Sequence, residues 1–121
     1  MRGRIFPRMR KLAIAALMAL VAAPAMAGPG AGNFVLVNGT SGALADLSIR
    51  RAGTQEWKTL GTAPSAGARS SMTFSDPDCA FDIQATVGAK PVTWTGVNLC
   101  GAKSVVLQRD EAAGAWVDYD Q

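Results

Sequence analysis

The stretch CAFDIQATVGAKPVTWTGVNLC, residues 79–100, carries both cysteines of a 121-residue chain at its two ends. From Cys79 to Val87 the odd positions read Cys, Phe, Ile, Ala and Val, and the even ones Ala, Asp, Gln and Thr. One face is therefore apolar and the other largely polar, the period-two pattern of a half-buried strand. Gly88-Ala89-Lys90-Pro91 reads as a loop, and a second β-rich run extends from Val92 to Cys100. Closing the two runs as an antiparallel hairpin across that loop sets Val87 opposite Val92, Ala85 opposite Trp94, Ile83 opposite Gly96, Phe81 opposite Asn98 and Cys79 opposite Cys100. Paired Cα atoms of this kind lie about 4.5–5.5 Å apart, within the reach of a disulfide. The register leaves Val97 and Leu99 on the polar face and Asn98 on the apolar one, and a bulge at Gly96 would reverse that parity locally.

Immediately upstream, SDPDCAFD (residues 75–82) concentrates three carboxylates. Asp76-Pro77-Asp78 has the chemistry of a turn, an acceptor side chain followed by a proline of fixed φ. A calcium ion needs its oxygens at roughly 2.3–2.6 Å, whereas Asp78 and Asp82 stand about 13 Å apart along an extended strand. No metal site is assigned. Asp82 lies on the strand itself and reads either as an exposed polar-face residue or as a hydrogen-bonded structural carboxylate.

Further out, short β-rich runs punctuated by turn formers continue in both directions. Residues 33–37 form a run closed by the turn cluster Asn38-Gly39-Thr40-Ser41-Gly42. Asn38-Gly39-Thr40 also spells a glycosylation acceptor, for which the turn is sufficient explanation. In residues 45–51 the alternation puts Ala45, Leu47 and Ile49 on one face. Residues 55–60 and 69–75 follow as strands, separated by the Gly-, Pro-, Ser- and Ala-rich loop 61–68. Residues 104–108 form a strand with the continuous apolar core Val105-Val106-Leu107, and residues 116–119 a last short one. No window sustains a helical apolar period over ten residues. The class is all-β, a small antiparallel sandwich or barrel-like domain of seven to eight short strands with one disulfide.

The first 27 residues read differently. Arg2, Arg4, Arg8, Arg10 and Lys11 precede an uncharged apolar run, Leu12 to Ala23, and small residues lead to a cleavage point between Ala27 and Gly28. The run is shorter than the roughly 20 residues of a membrane-crossing helix. Residues 1–27 are accordingly a cleaved secretion signal, residues 28–121 a single small domain without a membrane anchor, and the location periplasmic or secreted. Two cysteines in an oxidising compartment form a bridge, Cys79 to Cys100. Cleavage removes five of the 12 basic residues and none of the nine acidic ones, leaving seven basic against nine acidic groups. The excess is then slightly negative and no basic stripe remains, which excludes a nucleic-acid binder.

Enzymatic chemistry finds little support. The chain has no histidine, so no Ser-His or Cys-His pair can form, and no phosphate-cradling glycine loop or nucleophile elbow is present. No catalytic residue and no cofactor is assigned. Trp57, Trp116 and Tyr119 are the candidate binding residues, since aromatic faces give contact area at small entropic cost. Trp94 falls on the apolar parity of its strand and is expected in the core.

NFVLVNGTSG, LSIRRAGTQEWKTLG, DPDCAFDIQA and VTWTGVNLCGAKSVVL together resemble a family of small exported bacterial all-β proteins of unassigned function. Its most specific part is the hairpin with Cys79, Phe81, Asp82, Ile83, Trp94 and Cys100. The resemblance implies fold and export, and transfers no active site. Two functions are expected from the sequence: a non-enzymatic periplasmic or secreted binding module for an unknown protein or carbohydrate partner, or an envelope-associated structural or stress-linked protein without a small-molecule ligand.

Overall fold

A computed structural model describes residues 30–120. The expected leader, residues 1–27, and the expected cleavage point between Ala27 and Gly28 lie outside the described residues. Eight strands follow one another: β1 (Phe34–Asn38), β2 (Leu44–Arg51), β3 (Lys58–Thr59), β4 (Arg69–Met72), β5 (Ala80–Val87), β6 (Lys90–Asn98), β7 (Ser104–Asp110) and β8 (Gly114–Asp120). They form two four-stranded sheets, β4-β1-β7-β8 and β3-β2-β5-β6, with no helix among the described residues. The fold is a sandwich in which β1 and β7 pair in parallel and the other neighbours are antiparallel.

Alternation explains how each strand meets the core. Phe34 and Leu36 of β1, Ile49 of β2, Phe81 and Ile83 of β5 and Val105 and Leu107 of β7 all point inward and are buried. Trp94 is 1% exposed, as its parity requires, and its indole Nε1 donates to the Gln108 carbonyl at 2.8 Å, so its one polar group is satisfied across the two sheets. Phe34, Phe74 and Phe81 meet edge to face, with centroids 6.1 and 5.1 Å apart.

The central hairpin departs from the sequence-derived register. Val87 faces Lys90, Ala85 faces Val92 and Ile83 faces Trp94. The loop is thus the two-residue turn Gly88-Ala89, made possible by Gly88 at φ 65°. Between Ile83 and Phe81 the register shifts, and beyond the shift Phe81 faces Val97 and Ala80 faces Asn98. This is the bulge at Gly96, whose φ is also 65°. Past it Val97 and Leu99 are buried and Asn98 is exposed. Cys79 and Cys100 are bonded, with Cα atoms 5.0 Å apart.

A second irregularity corrects the reading of residues 45–51. Leu44 and Leu47 are buried while Ala45 and Asp46 are exposed. The ladder to β5 shifts between Ala45 and Ser48, and Asp46 adopts φ 53°. One extra residue therefore displaces Ala45 from the core face.

Asn38 ends β1 and is fully buried. Its Nδ2 donates to the carbonyls of Gly42 and Pro64, and its Oδ1 accepts from the Thr40 N–H and hydroxyl. One amide thus organises the turn after β1 and pins the loop 61–68 to it. A glycan cannot attach to this nitrogen in the folded chain. Asn38→Ala should lower stability by about 2 kcal/mol, because it strands buried carbonyls that regain water only in part. Urea unfolding of the pair reads this directly, and a loss below half that value would mean that the turn forms without the amide.

Candidate functional site

Asp82 sits on the outward parity of β5, yet is only 5% exposed. The register places it opposite Arg50 of β2, whose Nε donates to Oδ2 at 2.9 Å. Its other oxygen, Oδ1, accepts the Gly96 N–H at 3.1 Å. The bulge that displaces Gly96 is therefore secured by a carboxylate on the neighbouring strand. Arg50 in turn lies over the Trp57 ring, 4.5 Å from its centroid, and reaches the Gln55 side chain with Nη1 at 3.3 Å. Asp82 is the hydrogen-bonded structural carboxylate of the two readings, linking β2, β5 and β6 under Arg50 and Trp57.

The acidic corner before β5 is organised by the other arginine. Arg51 Nε donates to both Asp76 oxygens, at 3.2 and 3.1 Å, and lies 3.2 Å from the Asp78 carboxylate. Asp76 Oδ1 also accepts the Asp78 N–H at 2.9 Å, which makes the Asp-Pro-Asp segment a side-chain-closed turn. Among the described residues no three His, Cys, Asp or Glu side chains are grouped for a metal ion. The Asp78 N–H, followed by Arg51, holds the Asp76 carboxyl below the usual carboxylate range, and the N–H groups of Ala113 and Ala112 do the same for Asp110.

A carboxyl lowered by folding stabilises the native state above the unfolded value of about 3.9 and loses that contribution as pH falls through the folded value. Acid unfolding should therefore steepen below about pH 4. Asp76→Asn should flatten part of that slope in urea midpoints compared at neutral and acid pH. An unchanged slope would remove Asp76 as a contributor.

Next to this corner, at the open end between β2, β3 and the segment after β4, lies a recess of about 220 Å³. Its floor is Ile49, Phe74 and Phe81, and its rim includes Arg51, Glu56 and Lys58. Local sequence pattern does not by itself mark these rim residues as a site. Glu56 and Lys58 are two apart in QEWKTL, a signal for one shared side of an extended segment, but Phe74 and Phe81 join them only through tertiary folding.

The three aromatic candidates do not share one platform. Trp57 is half-buried against Arg50 on the β3-β2-β5-β6 sheet. Trp116 and Tyr119 are on β8, 42% and 43% exposed, and are the large exposed hydrophobic residues of the described chain. Trp116 faces Gln108 in the ladder and points outward, beside the half-buried Val35, Val37 and Val106 of β1 and β7. Tyr119 has the opposite parity, and its hydroxyl accepts the Asn98 N–H at 2.8 Å, tying β8 to β6.

The class defined by this geometry is a disulfide-bonded, eight-stranded β-sandwich. No protein-family model matches the chain, and no curated protein matches it. Among solved structures, it is similar to the NMR structure of a protein from Eubacterium rectale, with a TM-score of 0.53 and 17% identity, over 84% of this chain and 96% of that one. At that identity the likeness concerns the fold alone.

Proposed function

We propose that this chain is an exported, non-enzymatic interaction domain whose β8 edge receives an extended, basic segment of a partner protein. The supporting observation is the place of the exposed aromatics: Trp116 and Tyr119 both lie on β8, and among the described strands β8 is a long, unbroken sheet edge, approached by β6 where Tyr119 meets Asn98. The other edges are blunted in known ways. β3 has two residues and β4 four, while β6 carries Lys90, Pro91 and the bulge at Gly96. By contrast, β8 pairs with β7 in unbroken register over seven residues. Among the described residues its backbone makes no hydrogen bond beyond that ladder. Such an edge offers a strand-addition site, with main-chain bonds for affinity and side-chain pairing for specificity.

Charge selects the occupant. The β8 sequence AWVDYD is acidic and the adjoining turn adds Asp110 and Glu111. Two copies pairing edge to edge would bring like charges together, whereas a strand with Lys or Arg at alternate positions complements Asp118 beside Trp116. The engaged carboxylates Asp76, Asp78 and Asp82 favour a structural rather than catalytic use of the acids. The disulfide fits an oxidising compartment.

The test is a titration of the oxidised protein with a seven-residue peptide of alternating Lys and Val, set against a neutral oligosaccharide and against raising the protein concentration alone. Slowed amide exchange along Ala115–Tyr119 with the peptide, abolished in Trp116→Lys at unchanged melting temperature, is the expected outcome. A response to the oligosaccharide, or concentration-dependent dimerisation through β8, would overturn the choice of partner.

A further inference from the structure

The recess by β3 lies at the sheet edges remote from β8 and is independent of the proposal above. Its volume, about 220 Å³, is below the roughly 300–1,000 Å³ of pockets for drug-sized ligands. It suits a ligand with one apolar side chain. The half-buried Phe74 ring, edge to face with the buried Phe81 at 5.1 Å, forms the apolar floor, with Phe81 and Ile49 beneath it.

The rim is organised for charge. Asp76 and Asp78 engage Arg51 on its Nε side. The guanidinium is held in place, and its two terminal amino groups make no hydrogen bond among the described residues. Those groups form the end-on fork that pairs with a carboxylate in two parallel bonds. Lys58 and Glu56, two residues apart on the same extended segment, line the same recess and form no ion pair among the described residues. Their backbones are about 7 Å apart at strand rise, a separation that lets the two charges bracket one small dipolar ion. An apolar floor edged by the outer amino groups of Arg51, the Lys58 ammonium and the Glu56 and Asp76 carboxylates suits a small dipolar ion with one apolar side chain.

We infer that this recess binds an apolar α-amino carboxylate, with the carboxylate on Arg51 and Lys58 and the side chain on Phe74, Phe81 and Ile49. Two sources share this chemistry, a free amino acid and the C-terminal residue of a peptide. Glu56 separates them, because only the free amino acid brings an ammonium to it.

The experiment is an amide chemical-shift titration of the oxidised, isotopically labelled protein with L-phenylalanine. Saturable shifts at Arg51, Thr54, Phe74 and Asp76 are expected. L-Phenylalaninamide, which lacks the carboxylate, and glycine, which lacks the side chain, should each bind about tenfold more weakly. N-Acetyl-L-phenylalanine binding as well as the free amino acid identifies a peptide C-terminus as the natural source, and about tenfold weaker binding identifies the free amino acid. Lys58→Gln, at an exposed position, should keep the melting temperature and weaken L-phenylalanine binding several-fold. Shifts that never saturate, an amide that binds as tightly as the acid, or an unaffected Lys58→Gln would each overturn the assignment. Amides of β8 are read in the same spectra, so failure here is distinguishable from failure of the edge-strand proposal.

Discussion

Asp82→Ala is expected to cost about 3 kcal/mol of folding stability, read as a lowered urea midpoint. Removing one member of a buried ion pair generally costs about 3–5 kcal/mol, because the other charge is left without compensation. Here the Arg50 side chain keeps 21% of its exposure against 7% for Asp82. Water can therefore reach the orphaned guanidinium, and the low end of the range applies. The same substitution strands the Gly96 N–H at the bulge, a loss that Arg50→Ala alone does not cause. Asp82→Asn distinguishes the two contributions: its amide oxygen can still accept from Gly96, so it should lose about half as much. A double-mutant cycle between Arg50 and Asp82 should give a coupling of about 1–2 kcal/mol. If Asp82→Ala falls within about 0.5 kcal/mol of the parent, as surface changes usually do, then the carboxylate is not what joins β2, β5 and β6.

This position also marks where sequence pattern stops being informative. Parity along β5 was legible because its inward residues, Phe81, Ile83, Ala85 and Val87, alternate without interruption. Register was not, for two physical reasons. Pro91 in GAKP reads as a loop residue, yet it is tolerated in β6 because that strand is an edge, where a missing N–H need not break a ladder. The loop shortens to Gly88-Ala89 and every pair near the turn moves with it. The bulge then restores the parity of Val97 and Leu99, and its anchor is a side chain on another strand. Asp46 repeats the lesson on β2, where an aspartate in the left-handed region shifts Ala45 outward and no neighbour in sequence announces it. The parallel pairing of β1 with β7 joins opposite ends of the domain, and local period carries no information about it. The candidate sites divide the same way. Trp116 and Tyr119 were visible as residue types, but their common placement on the edge strand β8, and the meeting of Glu56 and Lys58 with Phe74 and Phe81, are products of the fold.

Breaking the link between Cys79 and Cys100 should have an effect of comparable size but a different origin. The bridge closes a loop with sequence separation 21, for which restriction of the unfolded chain predicts about 3 kcal/mol. The β5-β6 ladder does not replace it, since it is interrupted by the bulge between Phe81 and Ile83. Past that point Ala80, Phe81 and the bond from the Leu99 N–H to the Cys79 carbonyl, 2.9 Å, hold the strand ends together. The double substitution of both cysteines by serine avoids a stray thiol and should lower the melting temperature by about 12–24 °C, at the 4–8 °C per kcal/mol typical of a domain this size. Reductant applied to the parent should reproduce that shift, and leave the serine variant unchanged. Amide exchange should quicken first at Ala80, Val97 and Asn98, and less at Val87 and Lys90 beside the tight turn. Because Asp76 and Asp78, which hold Arg51 over the recess, immediately precede Cys79, the same loosening should weaken L-phenylalanine binding there before the domain unfolds. A parent protein whose melting temperature ignores reductant would show that the sheet ladder alone fixes this end of the hairpin, and the coupling from disulfide to recess would fall with it.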